Sequence, residues 1–200
     1  FTVNLKVNKE PVRFTEKICG CTQEQSIELD YVLPDYYPEI FRIIKCCAEP
    51  KITSCAANGD RITYELIVCL KIIYCSENSS RPEAIDQKLV YSRTVNLDRS
   101  VDSPSVYIFA EADHINCRAV NRRRIDLRGA VTISISAFGD CETDVVSEVF
   151  GGNVQLKTRS CPCPSSIIRT SRRVTVSDEF DLGADAPPIG SILRASAEIV

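Results

Sequence analysis

The alternation from Ile62 to Tyr74 constrains this chain more than any other feature. Ile62, Tyr64, Leu66, Val68, Leu70, Ile72 and Tyr74 are apolar at every second position, with Thr63, Glu65 and Lys71 among the residues between them. A pleated strand sends alternate side chains to opposite faces, so a period of two predicts a β-strand with one buried face. Ahead of it stands Asn58-Gly59-Asp60, residues that accept positive φ or bond back to their own backbone, as a hairpin turn requires. Cys46 to Ala57 then reads as the partner strand, and residues 45–76 as one long, half-buried hairpin. These residues describe a β scaffold and carry no chemistry of their own.

The same pattern recurs along the chain. Thr2 to Val7, Ser26 to Val32 and Lys88 to Leu97 read as strands. Val106 to Val120 and Arg124 to Phe138 form a second long pair, in which Ile125, Leu127, Val131, Ile133 and Ile135 alternate with Asp126, Arg128, Thr132, Ser134 and Ser136. That is a strand of an antiparallel sheet with one face in water. Further strands are expected at 144–150, 153–158 and 167–176, separated by Gly151-Gly152 and Cys161-Pro162-Cys163-Pro164. Pro11 to Glu24 reads as irregular. Only Pro34 to Ile44 suggests a helix, of one or two turns: Asp35 can cap it, Pro38 suits a first turn, and Ile40, Ile43 and Ile44 have helical spacing. The expected fold is mainly β, with long antiparallel hairpins in sandwich- or barrel-like sheets and one short helix.

The chain also repeats internally. Moved forward by 63 residues, the first hairpin falls on the second: Ile52 meets Ile115, Arg61 meets Arg124, Ile62 meets Ile125 and Val68 meets Val131. At a shift of 151, Val3, Leu5, Lys6, Pro11, Ser26, Glu28 and Asp30 meet Val154, Leu156, Lys157, Pro162, Ser177, Glu179 and Asp181. With two residues dropped, Pro38, Ile40, Ile43, Ala48 and Glu49 meet Pro187, Ile189, Ile192, Ala197 and Glu198. Residues 1–150 therefore read as one β unit, and 151–200 as the opening third of another, packed on the first. On that reading 1–50 and 152–200 follow similar paths. The chain opens on Phe1 and contains no Met, which reads as a processed or cut product.

Composition excludes several classes. The net charge of -3 supplies no field that favours nucleic acid or an anionic membrane. No apolar run approaches the roughly 18 residues of a membrane helix, so membrane insertion is not expected. The eleven cysteines are odd in number, and Cys46, Cys69 and Cys117 sit inside apolar strand pattern. Secreted disulfide scaffolds are usually short with even counts, so the better reading is reduced thiols packed as small hydrophobes in a reducing compartment.

Candidate sites are few. Cys19-Gly20-Cys21 and Cys161-Pro162-Cys163 could each give two thiolates to a zinc ion or an iron–sulfur cluster. The 151-residue repeat does not superpose them, because Cys19 falls on Thr170 and Cys161 on Glu10. His114 is the only histidine, and it lies in a strand beside Glu111 and Asp113. There is no phosphate-binding glycine loop, and nothing singles out a carboxylate pair for glycoside chemistry. Arg118, Arg122, Arg123, Arg124 and Arg128 gather about the second hairpin's turn, either to read an anionic partner or as a solvated tip. Tyr36-Tyr37, between Pro34 and Pro38, could anchor an interface or pack in the core. We assign no catalytic residue, metal or cofactor, and the expected function is not enzymatic.

The stretch Ser26–Pro34, then Pro38-Glu39-Ile40 with Ile43 and Ile44, then the hairpin ending Leu70–Tyr74, resembles the SPOCS domain. That is the repeated domain of SipL-like spore-coat morphogenesis proteins of anaerobic spore formers. The family pattern, a leucine–proline, a second proline, an acidic residue and spaced isoleucines before a strand, turn and strand, is matched by Pro34, Pro38, Glu39, Ile40, Ile43, Ile44 and Tyr74. Pro187, Ile189, Ile192 and Leu193 match its reappearance. The resemblance implies a β-rich adaptor in the mother-cell cytoplasm, working at the forespore surface with a spore-coat morphogenesis protein as partner. Such proteins commonly end in a LysM module that binds the coat-basement ATPase, and no LysM-like segment stands in this sequence. Two rivals come from other classes: a secreted or cell-surface β domain that binds polysaccharide or peptidoglycan, and an enzyme with a carboxylate site.

Overall fold

A strand buried on one face needs a partner on each edge and a second layer over that face. The computed structural model, which describes residues 5–79, 81–151, 157–168, 170, 172–179, 181–183 and 185–196, supplies both. Its strands are β1 (Lys6–Val32), β2 (Arg42–Asn58), β3 (Arg61–Cys75), β4 (Glu83–Asn96), β5 (Ser105–Asn121) and β6 (Arg124–Phe150). They form two three-stranded antiparallel sheets, β2-β3-β4 and β1-β6-β5, with the alternating strands β3 and β6 in the middle.

The inward rows are those read from the alternation. Ile62, Tyr64, Leu66, Val68, Leu70 and Ile72 of β3 and Ile125, Leu127, Val131, Ile133 and Ile135 of β6 are all at most 1% exposed. Together they make one core between the sheets. Each such side chain contributes roughly 1.5–3 kcal/mol by leaving water, which is why the alternation dominates the fold.

The hairpin β2–β3 turns on Gly59-Asp60, with Asn58 paired to Arg61 and Gly59 at φ 62°. A glycine in the first of two turn positions suits the tight connection that matches strand twist. The repeat at 63 residues coincides with the elements: Arg42, Asn58 and Arg61 move onto Ser105, Asn121 and Arg124, the corresponding ends of β5 and β6. The two equivalent hairpins lie on opposite sides of the core, edge strand β2 packed against edge strand β5. The third strand differs. β4 follows β3 directly, whereas the place beside β6 is taken by β1 from the other end of the chain.

Three expectations are corrected. Pro11 to Glu24 is not irregular but the middle of the 27-residue β1. Proline lacks a donor, yet β1 is an edge strand whose one ladder neighbour is β6, so Pro11 costs the ladder little. Irregularity survives only as register shifts at Asn8/Lys9 and Lys17/Cys19. The same rule admits Pro50 to edge strand β2.

Second, Pro34 to Ile44 is not helical. Its one local turn is closed by Tyr37 N–H to the Pro34 carbonyl at 3.0 Å. Beyond it the backbone donors are claimed from outside: Ile40 N–H bonds the Arg122 carbonyl at 2.8 Å and Phe41 N–H that of Cys75 at 2.8 Å. Tyr37, as the residue before a proline, is also steered away from helical ψ. Third, the described residues of 167–176 form no strand. The strand expected at 153–158 lies mostly outside the described residues. Two stretches of this last segment do touch the first unit: Thr15 N–H bonds the Pro164 carbonyl at 2.9 Å, and Lys71 Nζ bonds that of Leu193 at 3.1 Å.

Candidate interaction surface

Residues 33–41 carry the chain from one sheet to the other across an end of the sandwich, and the β5–β6 turn holds them there. Leu33 N–H bonds the Arg123 carbonyl at 2.7 Å, so β1 leaves its sheet beside that turn. Leu33 (2% exposed) and Ile40 (4%) close the end of the core. Tyr74, fully buried on β3, donates its hydroxyl to the Pro38 carbonyl at 3.0 Å. The proline–isoleucine motif thus anchors a crossover.

The five arginines sit at this end and just beyond, and every one has an acidic neighbour. Arg118 bonds Asp126 twice, at 3.0 and 2.8 Å, and Arg128 lies 3.5 Å from the same carboxylate. Arg122 is 3.6 Å from both Glu39 and Glu77. Arg123 reaches Glu39 at 3.6 Å and Asp35 at 3.8 Å, and donates to the Pro34 carbonyl at 3.2 Å. Arg124 grips Asp30 across the β1–β6 pair. Its hydrogen bond holds the Asp30 carboxyl below the usual range. Balanced by neighbouring carboxylates, some of them shared, the cluster fastens the crossover to the turn and leaves no concentrated positive field for an anion.

Beside these exposed ion pairs, the same end also leaves apolar side chains to solvent. Tyr36 is 81% exposed, Val32 66% and Phe41 63%, with Ile44 and Val120 also exposed. Tyr37, its ring 4.8 Å from that of Tyr36, packs against the core instead. The two tyrosines therefore divide the roles their sequence left open: Tyr36 is available as an anchor and Tyr37 is core. An exposed aromatic flanked by apolar side chains and rimmed by charge is the composition of a protein-binding patch.

No family model, curated protein or solved structure matches the chain.

The remaining sequence candidates are not brought together. His114 is exposed on β5, opposite Ala130. Cys19 and Cys21 point the same way, their sulfurs 3.9 Å apart, and burial raises the Cys19 thiol's pKa. Cys161 and Cys163 are exposed in the last segment. Among the described residues no three histidine, cysteine or acidic side chains converge as a metal site would require. A second surface had no signal in the alternation. On the outer face of β5 and β6, Tyr107, Phe109 and Phe138 line a trough of about 450 Å³ with Ser134, Ser136, Ile167 and Ile168. Its residues occupy the polar phase of the strand pattern, where aromatic rings are the exception that could have pointed to it.

Proposed function

We propose that the chain is a non-enzymatic binding and scaffolding module of a spore-coat protein, docking a protein partner at the forespore surface from the mother-cell side. One observation carries the docking part: the apolar patch of Tyr36, Val32 and Phe41 at the crossover end, set in a frame of ion pairs. The coat assignment is supported by the SPOCS resemblance, of whose motif residues Pro34, Pro38, Glu39 and Ile40 lie in this crossover and Tyr74 bonds to it. Aromatic side chains at the centre of a rimmed patch carry most of the energy of protein interfaces. The test is a fluorescent fusion in a sporulating anaerobe. The wild-type fusion should ring the forespore, and Tyr36→Asp/Phe41→Asp should leave the folded protein dispersed in the mother cell. Export of the fusion, or an unchanged ring with the variant, would overturn the proposal.

A second reading is favoured by the trough on β5 and β6, where Tyr107, Phe109 and Phe138 stand beside Ser134 and Ser136. Aromatic faces flanked by hydroxyls suit sugar rings, as a cell-wall or polysaccharide-binding β domain would need. Retention on insoluble peptidoglycan that is lost with Phe109→Ala would favour this reading over the first.

A further inference from the structure

The seam between β2 and β5 joins the two sheets on one side of the sandwich, and the strands on either side of it belong to different hydrogen-bonded ladders. Cys46 lies opposite Ile72 in the β2–β3 ladder, and Cys117 lies opposite Leu127 in the β5–β6 ladder. Directly opposed residues share a face of the sheet. Ile72 and Leu127 are both fully buried and point into the core, so Cys46 and Cys117 point inward too, from facing edges. Both pack against the core while staying partly exposed, and both lie a similar distance along the seam from the Ile40 N–H bond to the Arg122 carbonyl, so the two thiols come within reach of each other. Four of the other cysteines differ in placement: Cys19 and Cys21 share one strand, and Cys161 and Cys163 lie in the last segment.

We propose that Cys46 and Cys117 form a dithiol site, which a small-molecule disulfide of the glutathione class converts to a covalent bond between the two sheets. In the first step the Cys117 thiolate attacks one sulfur of the small disulfide. The S–S bond breaks, and the other sulfur leaves as a thiolate that takes up the proton Cys117 gave up. In the second step Cys46 loses its proton and attacks Cys117 Sγ, expelling the second small thiol, which takes that proton. One S–S bond is broken and one formed; the two protein thiols are oxidised and the small disulfide is reduced to two thiols.

The roles of the two sulfurs can be exchanged without changing the balance, because either thiol becomes the nucleophile once it is ionised.

The bond would enclose most of β2, all of β3 and β4 and most of β5, so it restricts a long stretch of the unfolded chain. A loop of that length raises the melting temperature of a chain this size by roughly 10 °C. The test treats the full 200-residue chain with oxidised glutathione, blocks the remaining thiols and maps the cross-linked peptides by mass spectrometry. The expected product joins the Cys46 peptide to the Cys117 peptide, survives Cys47→Ser, and melts about 10 °C higher than the reduced chain. Cys117→Ala should abolish both the cross-link and the rise, whereas Cys19→Ser/Cys21→Ser should keep both. The proposal is overturned if the wild-type map shows no Cys46–Cys117 peptide, or if the rise survives in Cys117→Ala.

Discussion

Gly129 of β6 is the position where the packing of the second hairpin can be tested with one methyl group. It pairs with Ile115 across the β5–β6 ladder, just past the register shift between Ala112 and His114. A Cβ built there would lie 2.4 Å from the His114 carbonyl oxygen and 2.5 Å from Ile115 Cδ1. The isoleucine tip can swing away. The carbonyl cannot, because it belongs to a strand whose neighbours His114 and Ile115 are paired to Ala130 and Gly129. Gly129→Ala must therefore shift β5 by about an ångström or open the ladder, and overpacking of this kind costs about 1–3 kcal/mol. Removing glycine's freedom from the unfolded chain offsets about 0.4–1 kcal/mol of that. The net loss is about 1–2 kcal/mol, a melting temperature lower by roughly 2–8 °C for a chain of this size. Differential scanning calorimetry reads it, with Gly183→Ala as control because nothing lies within 4 Å of a Cβ there. Adding Ile115→Val should restore little, since the carbonyl contact persists. If Gly129→Ala melts with the wild type, or Ile115→Val rescues it fully, the β5–β6 register at this point is wrong.

Arg123→Ala removes the bonds to the Pro34 and Tyr37 carbonyls and the pairs with Asp35 and Glu39, and should lower stability by about 1–2 kcal/mol in urea unfolding, more than Arg128→Ala on the exposed flank. Burial, then Glu83, push the Tyr74 phenol up to about 12. Because the folded state holds this proton more tightly, the contribution is full below about pH 10 and lost as pH climbs through about 12, so Tyr74→Phe should flatten the alkaline arm of the stability curve. Deleting residues 177–200 removes the bond from Lys71 to Leu193 and the pair of Arg194 with Glu49, and should lower the melting of the whole chain in a single transition; two separate transitions or none of the loss would refute that docking.

Period-two alternation was legible because burial of one face is a local constraint written residue by residue. It located β3, the first half of β6 and their inward rows without knowledge of what lay opposite. Pro11 and Gly20 hid β1, since a proline or glycine reads as a breaker unless the strand is known to be an edge, and edge position is a property of the whole sheet. The helix expected near Ile40 failed for a related reason: its spacing was right, but the acceptors for Ile40 and Phe41 come from Arg122 and Cys75, far along the chain. The arginine cluster was visible as charge, and its neutralisation was not. Asp30, Asp35, Glu39 and Glu77 reach it only once the crossover and the turn meet. Cys46 and Cys117 likewise looked like two of eleven small hydrophobes until the stacking of the hairpins set them face to face.

The filling of the place beside β6 by β1 also imposes an order of events on folding. Strands β2, β3 and β4 follow one another in the chain, β2 joined to β3 by a tight turn and β3 to β4 by residues 76–82, and can zip together as soon as they leave the ribosome. β1, made before the other five strands, pairs Val32 with Arg124 and Lys6 with Phe150, so it has no ladder partner until Arg124 is made and is not fully paired until Phe150 is. Closing so distant a pairing is slow, because the loop entropy is spent before any contact repays it. During that interval a long strand carrying Ile18, Ile27 and Leu29 waits unpaired, a state in which a newly made chain is open to chaperones and to strand exchange with its neighbours.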